Sequence, residues 1–239
     1  MFVSLVLPAY NESAIIRDTI RAASAKLAEL TEEYEVLIVD DGSTDGTAEL
    51  VKSCGDPHVR LERYTPNGGK GRAVRVGMLA AEGDVILCTD ADLAYGVEVF
   101  TALLARLAAG EADLVIGSRR LGPDGYRSYP PLRRLTSKCF GLLVRLVSGL
   151  AYDTQCGIKG YRRQAARALF SRCRTDGFSF DFEVLMRADR QGLRVEELPV
   201  SVVNFRESKV HIVRDSCRMF RDLFRIRRRL REEGVGSEP

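Results

Sequence analysis

Histidine is scarce in this sequence, paired cysteines are absent and no apolar run is long, and each shortage removes a class of function. Only His58 and His211 occur, which leaves little material for a hydrolase triad or a histidine-rich metal centre. There is no G-x-S-x-G elbow. Six cysteines stand at 54, 88, 139, 156, 173 and 217 without a CxxC pair, a pattern of reduced thiols rather than of a disulfide framework or a zinc site. Nothing approaches eighteen uninterrupted apolar residues, so no membrane-spanning helix is expected. The N-terminal FVSLVLP reads as a strand and not as a secretory signal. A net charge of +3 is too small to suggest nucleic acid. The expected location is the cytoplasm.

What is present is a regular alternation. Short apolar runs at Phe2 to Pro8, Glu35 to Asp40, Val59 to Tyr64, Asp84 to Thr89 and Asp113 to Ser118 read as strands. Between them Glu12 to Leu30, Thr44 to Cys54, Gly71 to Ala81 and Val97 to Ala109 carry helical spacing. This rhythm predicts an α/β fold, a mostly parallel sheet flanked by helices. After Arg119 it breaks: a Gly-, Pro- and Tyr-rich loop (Leu121 to Pro131) leads to an amphipathic helix from about Leu132 to Leu150. The string DTQCGIKGYRR, a helix pair and a short strand near Val195 to Val203 follow. With 239 residues, 45% of them hydrophobic, the chain can form one sizeable core with an appendage.

Three strings end predicted strands: LVLPAYNE (Leu5 to Glu12), VDDGSTDGT (Val39 to Thr47) and TDADLAY (Thr89 to Tyr95). In open α/β sheets that edge binds ligands. DGSTDG is not an EF-hand loop, because Ser43 fills the third position and Lys52 stands where the bidentate Glu belongs. It reads as a turn in which Ser43 or Thr44 caps the next helix. GGKG lacks Walker A spacing, and Lys70 either meets a phosphate or sits in a solvated turn. Asp40, Asp41 and Glu12 are placed for a ribose or base, although each alone could be a turn residue. Asp90 and Asp92, two apart at a strand end, repel one another and call for a cation. Such a pair can hold a divalent ion against a diphosphate.

PAYNE, VDDGSTDGT, GGKG, DADL, GSR, DTQCGIK, FSFDFEV and ESK together make the chain resemble the family 2 glycosyltransferases of the GT-A (Rossmann-like) fold. Within them it is most similar to the polyprenyl-phosphate sugar synthases, dolichyl-phosphate β-glucosyltransferases in particular. The resemblance implies a catalytic domain over 1–209, its donor half 1–118 and its acceptor half 119–209, with a basic amphipathic helix and tail over 210–239. It implies that Pro8, Tyr10, Glu12, Ile38, Asp40 and Asp41 surround the nucleoside and that Asp90, Ala91 and Lys70 contact the donor. Asp92 would bind Mg2+ or Mn2+. Arg119, Arg206 and Lys209 would meet donor phosphates or the sugar, Asp92, Arg119 and Lys209 being the catalytic set. Arg119, Arg133, Arg134 and Ser137 would hold the acceptor phosphate. Ala94 stands where many mannose enzymes carry Gln, so the metal must take another ligand or bind more weakly.

The chemistry follows from elementary charge arguments. Loss of a nucleoside diphosphate builds negative charge that a metal and fixed Arg or Lys groups stabilise. A phosphomonoester acceptor, with a second pKa of about 6, is already an oxyanion at pH 7 and needs no base. Single displacement implies inversion, from an α-linked donor to a β-linked lipid phosphate sugar. The resemblance implies UDP-glucose as the donor. The alternatives are GDP-mannose, another lipid or glycan acceptor, or a nucleotide-sugar-binding module without turnover. Eight arginines from Arg214 to Arg231 face only Asp215 and Asp222 up to Arg231. Val213, Cys217, Phe220 and Phe224, widened by Met219, Leu223, Ile226 and Leu230, form an apolar stripe among them. A helix of that kind can lie on an anionic leaflet, so peripheral association with the inner face of a membrane is expected. The oligomeric state stays open.

Overall fold

The computed structural model describes residues 1–122, 141, 144–204 and 212–235. Seven strands form one sheet: β1 (Val3–Ala9), β2 (Tyr34–Asp40), β3 (Val59–Arg63), β4 (Val85–Cys88), β5 (Leu114–Ser118), β6 (Lys159–Arg162) and β7 (Val195–Pro199), in the order β3-β2-β1-β4-β6-β5-β7. All run parallel except β6, which is antiparallel to both β4 and β5. Helices α1 (Ile16–Leu30), α2 (Thr47–Lys52), α3 (Lys70–Ala80), α4 (Val99–Ala108), α5 (Arg163–Phe170), α6 (Phe180–Arg190) and α7 (Ile212–Val235) accompany the sheet, and residues 144–148 are helical as well.

Both faces of the central strands are buried, as parallel sheets require. Val6, Leu37 and Ile86 pack with Val74, Ala166, Leu185 and Leu223 on the side of α3, α5, α6 and α7. Leu5, Leu7, Ile38 and Leu87 pack with Ile16, Leu27, Phe100 and Leu103 on the side of α1 and α4. Because β1 pairs with β2 on one side and β4 on the other, the chain reverses direction across the sheet there. The carboxyl ends of β1, β2 and β4 border that switch point, where a crevice opens.

Within the described residues the expected elements recur with three corrections, whereas most of the expected loop over 121–131 and the first part of the expected helix over 132–150 lie outside them. First, α1 begins at Ile16, not Glu12. The N–H groups of Asn11, Glu12 and Ser13 donate to Ser43 Oγ (2.9 Å), Thr47 Oγ1 (2.9 Å) and Asp45 Oδ2 (3.0 Å), and these loop-to-loop bonds hold the segment off the helix. Second, neither Ser43 nor Thr44 caps α2, which starts behind Gly46 at φ 87°. Asp45 organises the turn by accepting from the Thr47 N–H and hydroxyl. Burial opposes its charge, yet the bonds from Thr47 and Ser13 hold its carboxyl down at about 2. Third, DTQCGIKGYRR contains an unexpected strand, β6. Gly160 fits there because a Cβ would come 2.7 Å from Leu107 Cδ1 and 3.0 Å from Leu87 Cδ2.

The basic helix α7 docks on α6. Met219, Leu223, Ile226 and Leu230 are buried, whereas Phe220 and Phe224, expected in the same apolar stripe, are exposed. A buried ion network fixes the contact: Glu183, with no exposed surface, accepts from the N–H groups of Arg174 (3.0 Å) and Thr175 (2.8 Å), the Thr175 hydroxyl (2.6 Å) and Arg187. Arg229 of α7 reaches Glu183, and Arg187 also pairs with Glu233 of α7. Burial raises the Glu183 pKa, but the bonds from Thr175, Arg174 and Arg187 outweigh it and leave the carboxyl below its ordinary range. Cys54, Cys88, Cys156 and Cys173 are unpaired thiols.

Candidate active site

The β1 and β2 loops are laced together before any ligand is considered. Asp40 is fully buried, accepts from Ser43 N–H (3.0 Å) and pairs with Arg63 Nε (2.9 Å). The Asp41 carboxylate accepts from Asn67 Nδ2 (2.8 Å), Gly68 N–H (2.6 Å) and Gly69 N–H (2.9 Å). Asp41 thereby shapes the GGKG turn and sets Lys70 at the first position of α3. The Gly71 N–H and Arg72 N–H donate to the Asp176 carbonyl, which pins the same turn to the segment before α6. Pro8 is half-buried at the end of β1 and Tyr10 is exposed beside it. Ile38 lies wholly within the core on the α1 side.

At the end of β4 the TDADLAY string makes a tight turn. Leu93 adopts φ 47°, the Ala94 N–H donates to Asp92 Oδ1 (3.1 Å), and the Ala91 carbonyl accepts from Thr19 (2.6 Å). Val203 and Asn204 donate backbone N–H groups to the Ala94 carbonyl, and Asn204 Nδ2 donates to the Leu93 carbonyl. Lys70 Nζ lies 2.5 Å from Asp90, so this lysine faces the acids. Burial lowers its pKa, but Asp90 and Asp181 outweigh burial and raise it. Burial and then the charge of Asp90 push Asp92 up, with a smaller push from Glu12, and together they outweigh the Ala94 N–H and Lys70, which favour its charged form.

Beneath these acids is a second ion pair. Lys159 on β6 meets Asp181 at the start of α6 at 2.8 Å, both nearly inaccessible, and Lys159 also donates to the Cys156 carbonyl. Lys70, Asp90, Lys159 and Asp181 line one small cavity with Cys88 and Gly157. Burial and then the charge of Asp90 push the Cys88 thiol up to about 12, so it remains protonated at neutral pH. A Cβ on Gly157 would lie 2.6 Å from Asp90 Oδ2 and 3.3 Å from its Cγ. Gly157→Ala is therefore expected to displace Asp90 and weaken Mn2+ affinity about tenfold in the presence of a nucleoside diphosphate. Calorimetry checks this, and unchanged affinity would remove Asp90 from the metal's surroundings.

Among the described residues no group of three or more His, Cys, Asp or Glu side chains is arranged to hold a metal. Two carboxylates and an open side fit Mg2+ or Mn2+, which commonly complete their shell with water and substrate phosphates. Arg119 donates from Nε and an Nη to Asp153 at 2.9 and 2.8 Å, and its backbone N–H also meets Asp153 (3.0 Å). Although burial disfavours its charge, the Asp153 bonds and field raise the Arg119 pKa further. Asp153, Gly157, Lys159 and Asp181 all fall in strings with a recognisable pattern, yet no spacing rule gave them a role. Arg133, Arg134, Ser137, Arg206 and Lys209 lie outside the described residues.

A family model described as glycosyl transferase family 2 matches residues 4–170. The chain is 34% identical over 228 residues to glycosyltransferase AglD of Haloferax volcanii, covering 93% of this chain but 36% of that protein. It is 32% identical over 245 residues to a dolichyl-phosphate beta-glucosyltransferase of Dictyostelium discoideum (95% and 74%). With the Saccharomyces cerevisiae dolichyl-phosphate beta-glucosyltransferase the identity is 33% over 249 residues (95% and 74%). Glucosyl-3-phosphoglycerate synthase of Mycobacterium tuberculosis in complex with UDP superposes with a TM-score of 0.70 at 23% identity, covering 94% of this chain and 78% of that one. Its complex with Mn2+ and UDP-glucose gives 0.69 at 24% identity, covering 93% and 76%. The chain belongs to glycosyl transferase family 2 and has the GT-A-like fold.

Proposed function

We propose that this family 2 glycosyltransferase moves glucose from UDP-glucose to the phosphate of a polyprenyl lipid, with inversion at the anomeric carbon. The observation that carries the reading is the acidic pair Asp90 and Asp92 at the sheet's switch point, with Lys70 2.5 Å from Asp90. The dolichyl-phosphate glucosyltransferases among the relatives support the acceptor class. The UDP-glucose and Mn2+ complex of a protein of the same fold supports the donor and the ion.

Asp92 would hold Mg2+ or Mn2+, with Asp90 beside it. When bound, the ion supplies positive charge against the departing diphosphate. Lys70 would turn from Asp90 toward a donor phosphate, Asp181 keeping it charged. Pro8, Tyr10 and Glu12 would border the nucleoside, while Asp40 and Asp41 hold the loops that shape its pocket. Arg119, fixed by Asp153, would present positive charge to the sugar phosphate. Lys209 would meet a donor phosphate or the transferred sugar. Arg133, Arg134 and Ser137 would orient the acceptor phosphate, since paired guanidinium donors match its oxygens.

A polyprenyl chain leaves the bilayer only at a large hydrophobic cost, so transfer would take place at a membrane surface, on the cytoplasmic side. No described helix is long and apolar enough to cross a membrane. A donor panel tests the reading: with Mn2+ present, UDP-glucose should raise the melting temperature by several degrees and GDP-mannose should not. The opposite preference would replace glucose by mannose.

A further inference from the structure

The exposed side of α7 carries apolar groups that the fold does not explain. Phe220 and Phe224 are 38% and 45% accessible and touch edge to face, centroids 4.9 Å apart. Leu146 is 72% accessible. It borders a groove of about 420 Å³, whose other wall includes Arg227 and Arg231 of α7. At 100° per residue, Phe220, Phe224, Arg227 and Arg231 share one flank of the helix. Exposed Arg218, Arg221, Arg225 and Arg228 follow around its outer side.

The acids described on the same helix offset only part of this charge. Asp222 accepts from Ser179 (2.9 Å) and lies 3.8 Å from Arg225, Glu233 pairs with Arg187 of α6, and Glu232 pairs with Arg228. Among the described residues Arg221 and Arg231 have no carboxylate partner. An apolar ridge rimmed by more guanidinium groups than carboxylates has the chemistry of a helix seated at an anionic lipid surface. A second copy of the chain would bring the same positive charge against itself. The position also suits the purpose: Gln155 Nε2 contacts Met219 Sδ at 3.8 Å, and two residues later Gly157 lies against Asp90.

We infer that Phe220, Phe224 and Leu146, with the arginines around them, form the surface on which the protein sits on an anionic phospholipid bilayer beside its active site. This deepens the lipid-acceptor reading and rests on it. Each arginine near such a surface strengthens binding about fivefold. Loss of both phenyl rings is expected to weaken binding at least about tenfold.

Sedimentation with phosphatidylcholine vesicles, with and without 30% phosphatidylglycerol (about one lipid in three), tests the inference. The protein should bind only the anionic vesicles, more weakly in high salt. Phe220→Ser/Phe224→Ser and Arg221→Gln/Arg231→Gln should each lose binding while retaining the parent's circular dichroism and its turnover on a short, water-soluble prenyl phosphate. Unchanged vesicle binding by the Phe variant would overturn the assignment, as would a parent dimer that this variant dissolves. Absence of turnover on the short acceptor by the parent would instead defeat the lipid-acceptor reading, and vesicle binding would still decide the surface.

Discussion

Asp92→Asn is expected to lower turnover about 100-fold or more while leaving the unliganded protein as stable as before or slightly more so. The loss follows from removing one carboxylate of the proposed two-carboxylate cation site without changing its volume, and charge stabilisation of a leaving group is commonly worth several kcal/mol, on the order of 10²-fold or more. The stability effect has the opposite sign. Burial and the neighbouring charges of Asp90 and Glu12 push the Asp92 pKa up, so the ionised form is disfavoured in the folded protein. Asn removes that repulsion and still accepts the Ala94 N–H. A melting temperature higher by about 1–3 °C without ligand is therefore expected, together with loss of the stabilisation that Mn2+ and a nucleoside diphosphate give the parent. Parental turnover at limiting metal would contradict the role of Asp92, and a marked loss of stability would contradict the electrostatic account.

The second large effect concerns the fold. Glu183→Ala removes a fully buried carboxylate that holds two backbone N–H groups, the Thr175 hydroxyl, Arg187 and Arg229. Breaking a buried pair by deleting one partner costs about 3–5 kcal/mol, because the remaining charge stays desolvated. For a chain of this size that is a fall of about 6–20 °C in melting temperature. The pH dependence has a definite sign. The folded pKa of Glu183 lies below its reference value of 4.5, so its stabilisation is complete above that value. It fades as pH falls through the lower folded pKa. The gap between the parent and Glu183→Gln should therefore narrow in acid. A Glu183→Ala protein melting within about 2 °C of the parent would show that α6 and α7 are held by apolar packing alone.

The parallel part of the fold was legible because its strands are buried on both faces and so read as unbroken apolar runs ending in polar turns. The acid pair was legible for the same reason, since Asp90 and Asp92 directly follow such a run. Strand β6 was not, because KGYR has neither an apolar run nor alternation; it is a strand only because β4 and β5 offer edges on both sides. Asp40 and Asp41 show a different difficulty. Acids at a strand end announce a polar turn, but only coordinates reveal that one is closed by Ser43 and Arg63 and the other by Asn67 and the GGKG backbone. Glu12 looked like a helix start because the bonds that hold its neighbours off the helix come from residues more than thirty positions away. On α7, periodicity identified the helix, but Phe220 and Phe224 lie far enough around its circumference from Leu223 and Ile226 to face outward.

The central claim is glucosyl transfer to a lipid phosphate, and product analysis tests it most directly. Incubation with UDP-glucose, Mg2+ or Mn2+ and a short polyprenyl phosphate should yield UDP and a prenyl phosphate glucose of β configuration, identified by mass spectrometry and the anomeric proton coupling. UDP release with free glucose as the sole sugar product, or an α-linked lipid product, would contradict the account.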